Sequence, residues 1–286
     1  MANNDNNNTQ LPYKSTVLDY DDICKLAPFF KGKEKLVNWL LRWLSVDKAN
    51  DYHRRNMGIP GHEFAHNLLT EINADIKISN EQVLDNLPDG PFITVSNHPF
   101  GALDGIALID VVGSRRNDFK VMVNMILNNI GGLRSSFIAV DALASDDPSK
   151  RAVSVKGITD ALRHVKQGHP LGFFPAGAVS KPTWKFRIQD RMWQPSVIRI
   201  IQKLNVPVIP IYFHGHNSWK FIALGMISWK LRTLRLPGEV FHKGNQNFRI
   251  SVGNIIPPEQ LAKYSTPEEL GEFLKTETYK MKKWQQ

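Results

Sequence analysis

The sequence predicts an α/β fold: a central, mostly parallel sheet flanked by helices on both faces, with an N-terminal helical segment. Two patterns lead to this prediction. Between residues 91 and 215, short apolar runs rich in β-branched residues alternate with longer segments whose apolar residues recur at helical spacing. Before residue 91, helical spacing dominates. Strands that alternate with helices pair in parallel, and their crossovers cover the sheet.

The individual elements follow from the same two periodicities. Helices are predicted over 33–44, 62–74, 79–86, 105–113, 150–168 and 196–205. Strands are predicted over 91–97, 119–124, 136–142, 170–175 and 207–215. We expect residues 1–12 to be a disordered Asn-rich tail, 13–90 an N-terminal helical segment and 91–286 the α/β core. Neither linker nor repeat separates them, so 13–286 is expected to form one domain.

Composition bounds the location and the partners. The 36 Lys and Arg residues exceed the 27 Asp and Glu residues, which gives a net charge of +9. Such a balance suits an anionic partner: nucleic acid, a membrane surface, or an acidic carrier. The lone cysteine, Cys24, excludes an internal disulfide and fits a reducing compartment. The N-terminus has no signal-peptide pattern, and no apolar run is long enough to span a bilayer, so we expect a cytoplasmic protein.

Two segments combine aromatic and basic residues. The first, residues 33–44, is an amphipathic helix whose apolar face is Leu36, Trp39, Leu40, Trp43 and Leu44, beside Lys33, Lys35 and Arg42. It is either an interfacial membrane helix or a helix that packs its tryptophan face on the core. The second, residues 219–235, either docks on the membrane or forms a buried helix with a basic end.

Three polar-tipped segments follow predicted strands. They are His98 after the first strand of the core, "FPAG" at 174–177, and "FHGHN" at 213–217. Ligands in such sheets bind outside the carboxyl ends of the strands, so these segments predict one cleft. Asp104 lies six residues after His98. It is either a carboxylate that orients His98 as a base, or a helix cap beside an ordinary loop histidine.

Other catalytic motifs receive less support. "HEFAH" matches H-E-x-x-H, which could place His62 and His66 on zinc with Glu63 as base, but no clear further metal-ligand motif follows. Solvated helix histidines are the alternative. The histidines of "HGHN" (214–217) are better explained as a cleft wall than as metal ligands. Ser180 lacks the G-x-S-x-G elbow of serine hydrolases, and nucleotide-binding glycine motifs are absent from the sequence.

Four segments in order resemble the blocks of the lysophospholipid acyltransferase superfamily, the glycerolipid acyltransferases. They are "NHPFGALDG", "FIAVDA", "FFPAGAVS" and "VPVIPIYFHG". The stretch that follows, "NSWKFIALGMISWKLRTLRLPGE", looks like the hemolysin-like branch, which includes acyltransferases linked to ornithine and glycine lipids. The resemblance implies an enzyme that moves an acyl group from a thioester to a hydroxyl.

The resemblance also implies roles for particular residues. His98 would be the general base and Asp104 its orienting carboxylate, and the turn Pro175–Gly177 would supply backbone N–H groups to the oxyanion. The implied substrate-binding residues are Asn97, Phe100, Gly101, Phe174, Pro175, Ala176, Gly177, Ala178, Ser180 and Lys181. The donor would be acyl-ACP or acyl-CoA, with neither a metal nor another cofactor. The acceptor would be a lysolipid at the inner membrane face, where the enzyme is peripheral on an anionic surface, and nucleic acid is not a partner.

Departures from the family pattern bear on the acceptor. The first block usually reads H-x4-D, whereas this chain has H-x5-D, and the extra residue is expected to bulge the turn. Ala142, Ala176 and Val179 stand where the blocks usually carry arginine, glutamate and arginine. An arginine holds phosphate through two parallel bonds, which alanine and valine cannot do. The expected acceptor is therefore a lyso-aminolipid; acylation of 1-acylglycerol-3-phosphate or glycerol-3-phosphate is the alternative.

Basic residues beyond the third block provide a further expectation. Lys181, Lys185 and Arg187 could hold an acceptor carboxylate or the phosphates of the donor, or they form a solvated basic edge. Two functions of other classes stay open at this point. One is a zinc metalloprotease at His62 and His66, and the other is a non-catalytic relative that binds lipid or membrane.

Overall fold

The computed structural model describes residues 14–140, 148–183, 188–227, 235–244 and 246–284. The strands are β1 (Asp75–Ser79), β2 (Ile93–Ser96), β3 (Lys120–Asn124), β4 (Phe137–Val140), β5 (Leu171–Phe173), β6 (Lys181–Pro182), β7 (Ile188–Gln189), β8 (Val208–His214) and β9 (Asn247–Val252). The α-helices are α1 (Tyr20–Leu26), α2 (Glu34–Trp43), α3 (Val46–Arg55), α4 (His62–Glu71), α5 (Gln82–Asp85), α6 (Ala102–Gly113), α7 (Pro148–Lys166), α8 (Pro195–Leu204), α9 (Trp219–Ile227), α10 (Leu236–His242), α11 (Pro258–Leu261) and α12 (Pro267–Lys280). Short 3-10 helices span Pro28–Phe30, Met125–Asn129 and Gly131–Ser136.

Seven strands form the central sheet in the order β1-β9-β8-β2-β5-β3-β4. The five strands from β8 to β4 are parallel to one another. β9 runs antiparallel to β8, and β1 runs parallel to β9. The predicted α/β class with a mostly parallel sheet is confirmed. β2 lies between β8 and β5, so the segment that follows it emerges at the centre of the sheet's carboxyl edge.

Side chains that alternate along the strands bury both faces. Ile93 and Val95 of β2 pack with α7, α8 and α12, together with Leu171 and Phe173 of β5. Ile209, Ile211 and Phe213 of β8 pack on the opposite face with α4 and α6. Successive residues of a strand point to opposite faces, so each face gains its own apolar core. Helices on both faces are thus confirmed.

The clearest difference from the predicted elements lies before the core. The helix predicted over 62–74 ends at Glu71, and residues 75–79 form β1, which the helical spacing did not predict. Asn73 and Asn80 have positive φ angles of 50° and 60°, so the backbone leaves the helical conformation on both sides of β1. The helix predicted over 79–86 shrinks to α5, while α6 begins three residues earlier than predicted.

The N-terminal helices form a small cluster of their own. Val37, Leu41 and Leu44 are its buried residues from α2 and the residue after it. Trp39 and Trp43 lie on another face, 54% and 51% exposed, with parallel rings whose centroids are 6.4 Å apart. The two tryptophans therefore do not pack on the core, although Leu44 of the same predicted face is buried. Among the described residues, we find no helix that is long and apolar enough to cross a membrane.

Candidate active site

The loop after β2 carries the predicted base and leads into α6. Gly101 precedes the helix with a φ of 80°, a conformation that glycine adopts without a steric penalty. Asp104 lies in the first turn of α6, where its Oδ2 accepts hydrogen bonds from the N–H groups of Phe100 (2.8 Å) and Gly101 (2.9 Å). Asp104 therefore satisfies two backbone donors at the start of the helix, close to the capping function that the sequence left open.

The same carboxylate lies against the imidazole of His98. Nδ1 of His98 is 2.9 Å from Oδ2 of Asp104, and the side chain of Asp104 is fully buried while that of His98 is 17% exposed. The approach is not aligned as a hydrogen bond, and His98 Nδ1 and Asp104 Oδ1 have no aligned partner in the part of the chain described. Burial raises the pKa of the Asp104 carboxyl, and the contacts with His98, Phe100 and Gly101 oppose that rise.

Phe174 fixes the plane of the imidazole from the side of β5. Its ring stacks on His98 with centroids 4.3 Å apart and an angle of 29° between the planes. Asp104 faces Nδ1, so Nε2 is the ring nitrogen left for a substrate. The structure thus brings His98, Asp104 and Phe174 together, as the blocks predict.

The turn after β5 supplies fewer donors than the sequence suggested. Gly177 has a φ of 63°, and its N–H donates to the carbonyl of Phe174 at 2.9 Å. Pro175 has no N–H. Within the predicted set Pro175–Gly177, the backbone amide of Ala176 is therefore the one not already used or missing. The next amide along the chain is that of Ala178.

Asn97 and Phe100, predicted to bind substrate, have their side chains directed into the protein. The amide of Asn97 donates to the carbonyl of Phe213 (2.9 Å) and accepts from its N–H (2.7 Å), which holds the end of β2 to β8. Phe100 is buried against Phe248, with Nζ of Lys243 4.8 Å from its ring centroid. Both residues support the loop that carries His98.

The positions that lost their charged residues are packed with apolar groups. Ala176 and Val179 are buried, and Ala176 belongs to the core beneath β5. A Cβ atom added at Gly101 would lie 3.1 Å from Val179 and 2.7 Å from Leu236 at the start of α10. Lys181 is exposed on β6. Ala142, Lys185, Arg187 and the tail 1–12 lie outside the described residues.

Asp190 was missed by the sequence analysis. It follows β7, is 7% exposed, and accepts hydrogen bonds from the backbone N–H of His98 (3.1 Å), the hydroxyl of Ser180 (2.6 Å) and the indole of Trp193 (3.2 Å). Ser180 also donates its N–H to the carbonyl of His98 at 2.8 Å. No motif surrounds Asp190 in the sequence, and its contacts arise from three separate segments.

The H-E-x-x-H match is on α4, away from the loop after β2. His66 is exposed and its Nδ1 lies 3.2 Å from the carboxylate of Asp110 on α6. Across the described ranges, His, Cys, Asp and Glu side chains form no group of three placed to hold a metal ion. In "HGHN", Nε2 of His214 lies 2.8 Å from the hydroxyl of Ser251, so this histidine has a structural partner.

Comparisons with known proteins agree with this geometry. The model of a family described as acyltransferase matches residues 23–285. A lyso-glycine lipid O-acyltransferase of Phocaeicola vulgatus is 27% identical over 255 residues, covering 86% of this chain and 87% of the relative. The lyso-glycine lipid O-acyltransferase of Bacteroides thetaiotaomicron is 28% identical over 257 residues, covering 86% and 89%.

A solved structure shares the fold. The crystal structure of the 1-acyl-sn-glycerophosphate acyltransferase PlsC from Thermotoga maritima superposes with a TM-score of 0.50, at 15% identity, over 79% of this chain and 80% of that one. The resemblance stated from the four blocks is thereby confirmed, because the family model covers nearly the whole chain. This chain belongs to the acyltransferase family and is an acyltransferase of the lysolipid acyltransferase superfamily.

Proposed function

We propose that this enzyme is a membrane-associated O-acyltransferase that uses acyl-ACP or acyl-CoA to acylate the hydroxyl of a lyso-aminolipid, of the lyso-glycine lipid type. The observation that carries the proposal is the His98–Asp104 contact of 2.9 Å beside a third block without phosphate ligands. The names of the two curated relatives support the same acceptor class.

The reaction follows from the two nitrogens of His98. Asp104 faces Nδ1 and favours the tautomer in which Nδ1 carries the proton, so Nε2 is free to act as base. The acceptor hydroxyl gives its proton to Nε2 while its oxygen attacks the thioester carbonyl. The tetrahedral intermediate then collapses, the C–S bond breaks, and the departing thiolate takes the proton from Nε2. The products are an ester and a free thiol, and His98 returns to its starting state.

The apolar packing at Ala176 and Val179 supports an acceptor without a glycerol-phosphate head. Val179 fills the space beside Gly101, at the start of the loop's helix, with a group that cannot bond a phosphate. A glycine headgroup carries one carboxylate, which needs fewer charge-assisted bonds than a phosphate. Lys181 is exposed at the start of the hairpin β6–β7 and is our candidate cation for that carboxylate or for the donor.

Exposed aromatic residues support a membrane-facing orientation. Trp39 and Trp43 on α2 form one exposed pair, and Trp219 and Met226 on α9 are exposed as well. The guanidinium of Arg235 lies 5.1 Å from the ring centroid of Trp43. Its neighbour Leu236 contacts the position of Gly101, so the tryptophan helix is linked to the loop of His98. Tryptophan beside basic residues is typical of helices that lie in an anionic interface. Localisation on the inner membrane face, peripheral to the bilayer, is part of the proposal.

The test is an acyl-transfer assay with purified protein and mixed vesicles. Acyl-ACP and acyl-CoA are each combined with lyso-glycine lipid, lyso-ornithine lipid or lysophosphatidate, and products are measured by mass spectrometry. We expect ester formation on an amino-acid lysolipid, and its loss in His98→Ala. His66→Ala, on the exposed histidine of α4, is the matched control and should retain activity.

Two results would contradict the proposal. Preference for lysophosphatidate would remove the acceptor argument and favour the glycerophosphate alternative. Equal activity of the wild type and His98→Ala would show that His98 is not the base.

A further inference from the structure

We propose that Asp190 is a positioning residue for the acyl-transfer reaction, which sets the place of His98 through its main chain. This proposal rests on the function proposed above for His98. Asp190 is separate from the His98–Asp104 pair: it follows the hairpin β6–β7, and its carboxylate contacts the backbone of His98, whereas Asp104 contacts the ring.

The main chain of His98 is held on both sides. Its N–H donates to Oδ1 of Asp190 at 3.1 Å, and its carbonyl accepts from the N–H of Ser180 at 2.8 Å. The hydroxyl of Ser180 donates to the same Oδ1 at 2.6 Å, so His98, Ser180 and Asp190 form a closed ring of hydrogen bonds. These bonds hold the peptide groups on either side of the His98 Cα atom, so they limit where the imidazole can stand between Asp104 and Phe174.

The pairing of β6 with β7 brings Ser180 and Asp190 together. β6 and β7 pair Lys181 with Gln189 in antiparallel register, so Ser180 and Asp190 are the next facing residues at the base of the hairpin. Asp190 is further fixed by the indole of Trp193 on Oδ2, and its own N–H donates to Tyr279 of α12. The carboxylate of Asp190 thus joins the loop of His98 to the third block, and its backbone N–H joins both to α12.

The chemistry of Asp190 differs from that of an ordinary buried ion pair. Within the described residues, no lysine, arginine or histidine lies within 4 Å of its carboxylate, which instead accepts three neutral donors. Burying a carboxylate without a cation costs folding free energy. A neutral side chain at position 190 could make a purely structural network at lower cost. A carboxylate oxygen, however, accepts both the His98 amide and the Ser180 hydroxyl strongly.

Kinetics with Asp190→Asn, Asp190→Ala and Ser180→Ala test the inference. Small displacements of a base relative to its substrate are costly, so we expect kcat to fall about 10- to 100-fold in Asp190→Asn, more in Asp190→Ala, with KM for the donor nearly unchanged. Tyr52→Phe is the matched control, because Tyr52 is buried on α3 and loses one hydrogen bond, to the carbonyl of Phe64 on α4. It should lower thermal stability while kcat is retained.

A spectroscopic measurement keeps the result independent of the acceptor. In protein labelled with ¹⁵N-histidine, the His98 ring signals, assigned with His98→Gln, should shift in Asp190→Asn and stay unchanged in Tyr52→Phe. Unshifted His98 signals in Asp190→Asn, or an equal kcat loss in Tyr52→Phe, would overturn the positioning role. Shifted signals in a wild type that acylates none of the lysolipids would instead support the positioning and contradict the proposed function.

Discussion

Replacing Asp104 by asparagine should separate activity from stability. The change keeps the shape of the side chain and one oxygen, so the bonds from the N–H groups of Phe100 and Gly101 can both survive on that oxygen. It removes the negative charge that faces Nδ1 of His98. An asparagine can present either its NH₂ or its oxygen to the imidazole, so the tautomer with a basic Nε2 is no longer favoured. In the comparable His–Asp pair of a serine protease this change costs about 10⁴ in kcat. We expect a loss of about 10²–10⁴ here.

The same change should stabilise the fold at neutral pH. A fully buried carboxylate costs several kcal/mol in desolvation, in order-of-magnitude terms. The two hydrogen bonds donated by the N–H groups of Phe100 and Gly101 weaken by about 1 kcal/mol each when their acceptor becomes neutral. Oδ1 has no aligned partner among the described residues, so an NH₂ group in its place leaves the number of unsatisfied atoms unchanged. The balance favours asparagine by about 1–3 kcal/mol.

The stability advantage of Asp104→Asn should depend on pH. Burial raises the pKa of Asp104 above its ordinary value of 3.8, so the folded protein binds this proton more tightly than the unfolded chain. The contribution of Asp104 to stability is present below pH 3.8 and is lost as the pH rises through the raised pKa. Asp104→Asn does not titrate, so its advantage over the wild type should appear above that window and shrink on acidification.

Urea denaturation at several pH values, together with the acyl-transfer assay, measures both effects. Asp110→Asn is the matched control: Asp110 is on the same helix, its pKa is also raised by burial, and it lies 3.2 Å from His66. It should keep acyl transfer. If Asp104→Asn is less stable than the wild type at pH 7.5, or if its advantage grows towards acid pH, the buried charge of Asp104 does not destabilise the fold.

Three further outcomes follow from the structure. The double variant Trp39→Ser, Trp43→Ser should sediment several-fold less with anionic vesicles at an unchanged melting temperature, because both rings are about half exposed. Val37→Ala, buried on the same helix, should instead destabilise the fold by about 1–3 kcal/mol. Unchanged vesicle binding of the double variant would contradict the membrane-facing orientation. Gly177→Ala should lower kcat and the melting temperature, because the residue has a φ of 63° and the new Cβ would lie 2.1 Å from the side chain of Gln194. The control is Gly90→Ala, which has open space around the new Cβ. Equal effects of the two substitutions would contradict a role for the turn at Gly177. Burial lowers the pKa of His164 to about 4, so the folded state takes up this proton only near and below that pH. The free energy of unfolding of the wild type, measured by urea denaturation, should therefore fall by about 2–3 kcal/mol between pH 6.5 and 4, and by less in His164→Gln. The same pH dependence in both proteins would exclude His164 as the cause.

The predictable part of the fold is the part with a local signal. β2 and β8 are buried on both faces, and their continuous apolar, β-branched runs identified them. β1 reads "DIKIS", a short alternating run after a helix, and its pairing partner β9 lies about 170 residues away in the chain. Whether such an edge segment forms a strand depends on that distant partner, and no local signal shows it. The helix predicted over 62–74 was therefore extended three residues beyond Glu71 and β1 was missed.

The candidate site divides in the same way. The proximity of His98, Asp104 and Phe174 could be predicted, because the blocks that carry them follow strands whose carboxyl ends the fold brings together. Asp190 could not, because its importance comes from hydrogen bonds to His98 and Ser180 that depend on how the hairpin closes. The oxyanion donors were overestimated, since the internal bond of Gly177 is visible only once the turn is folded.

The extra residue in H-x5-D connects these findings. Gly101 lies within this longer loop with a φ of 80°, and Oδ2 of Asp104 lies 2.9 Å from Nδ1 of His98. The cost is steric: at Gly101 there is no room for a side chain beside Leu236 of α10. Arg235, one residue earlier, lies over Trp43 of the proposed membrane-facing helix. Gly101, three residues after His98, is thus packed beside α10, whose preceding residue contacts the tryptophan helix. We infer that the position of His98 depends on α10. Leu236→Ala should therefore lower kcat in the acyl-transfer assay, and an unchanged kcat would contradict this inference.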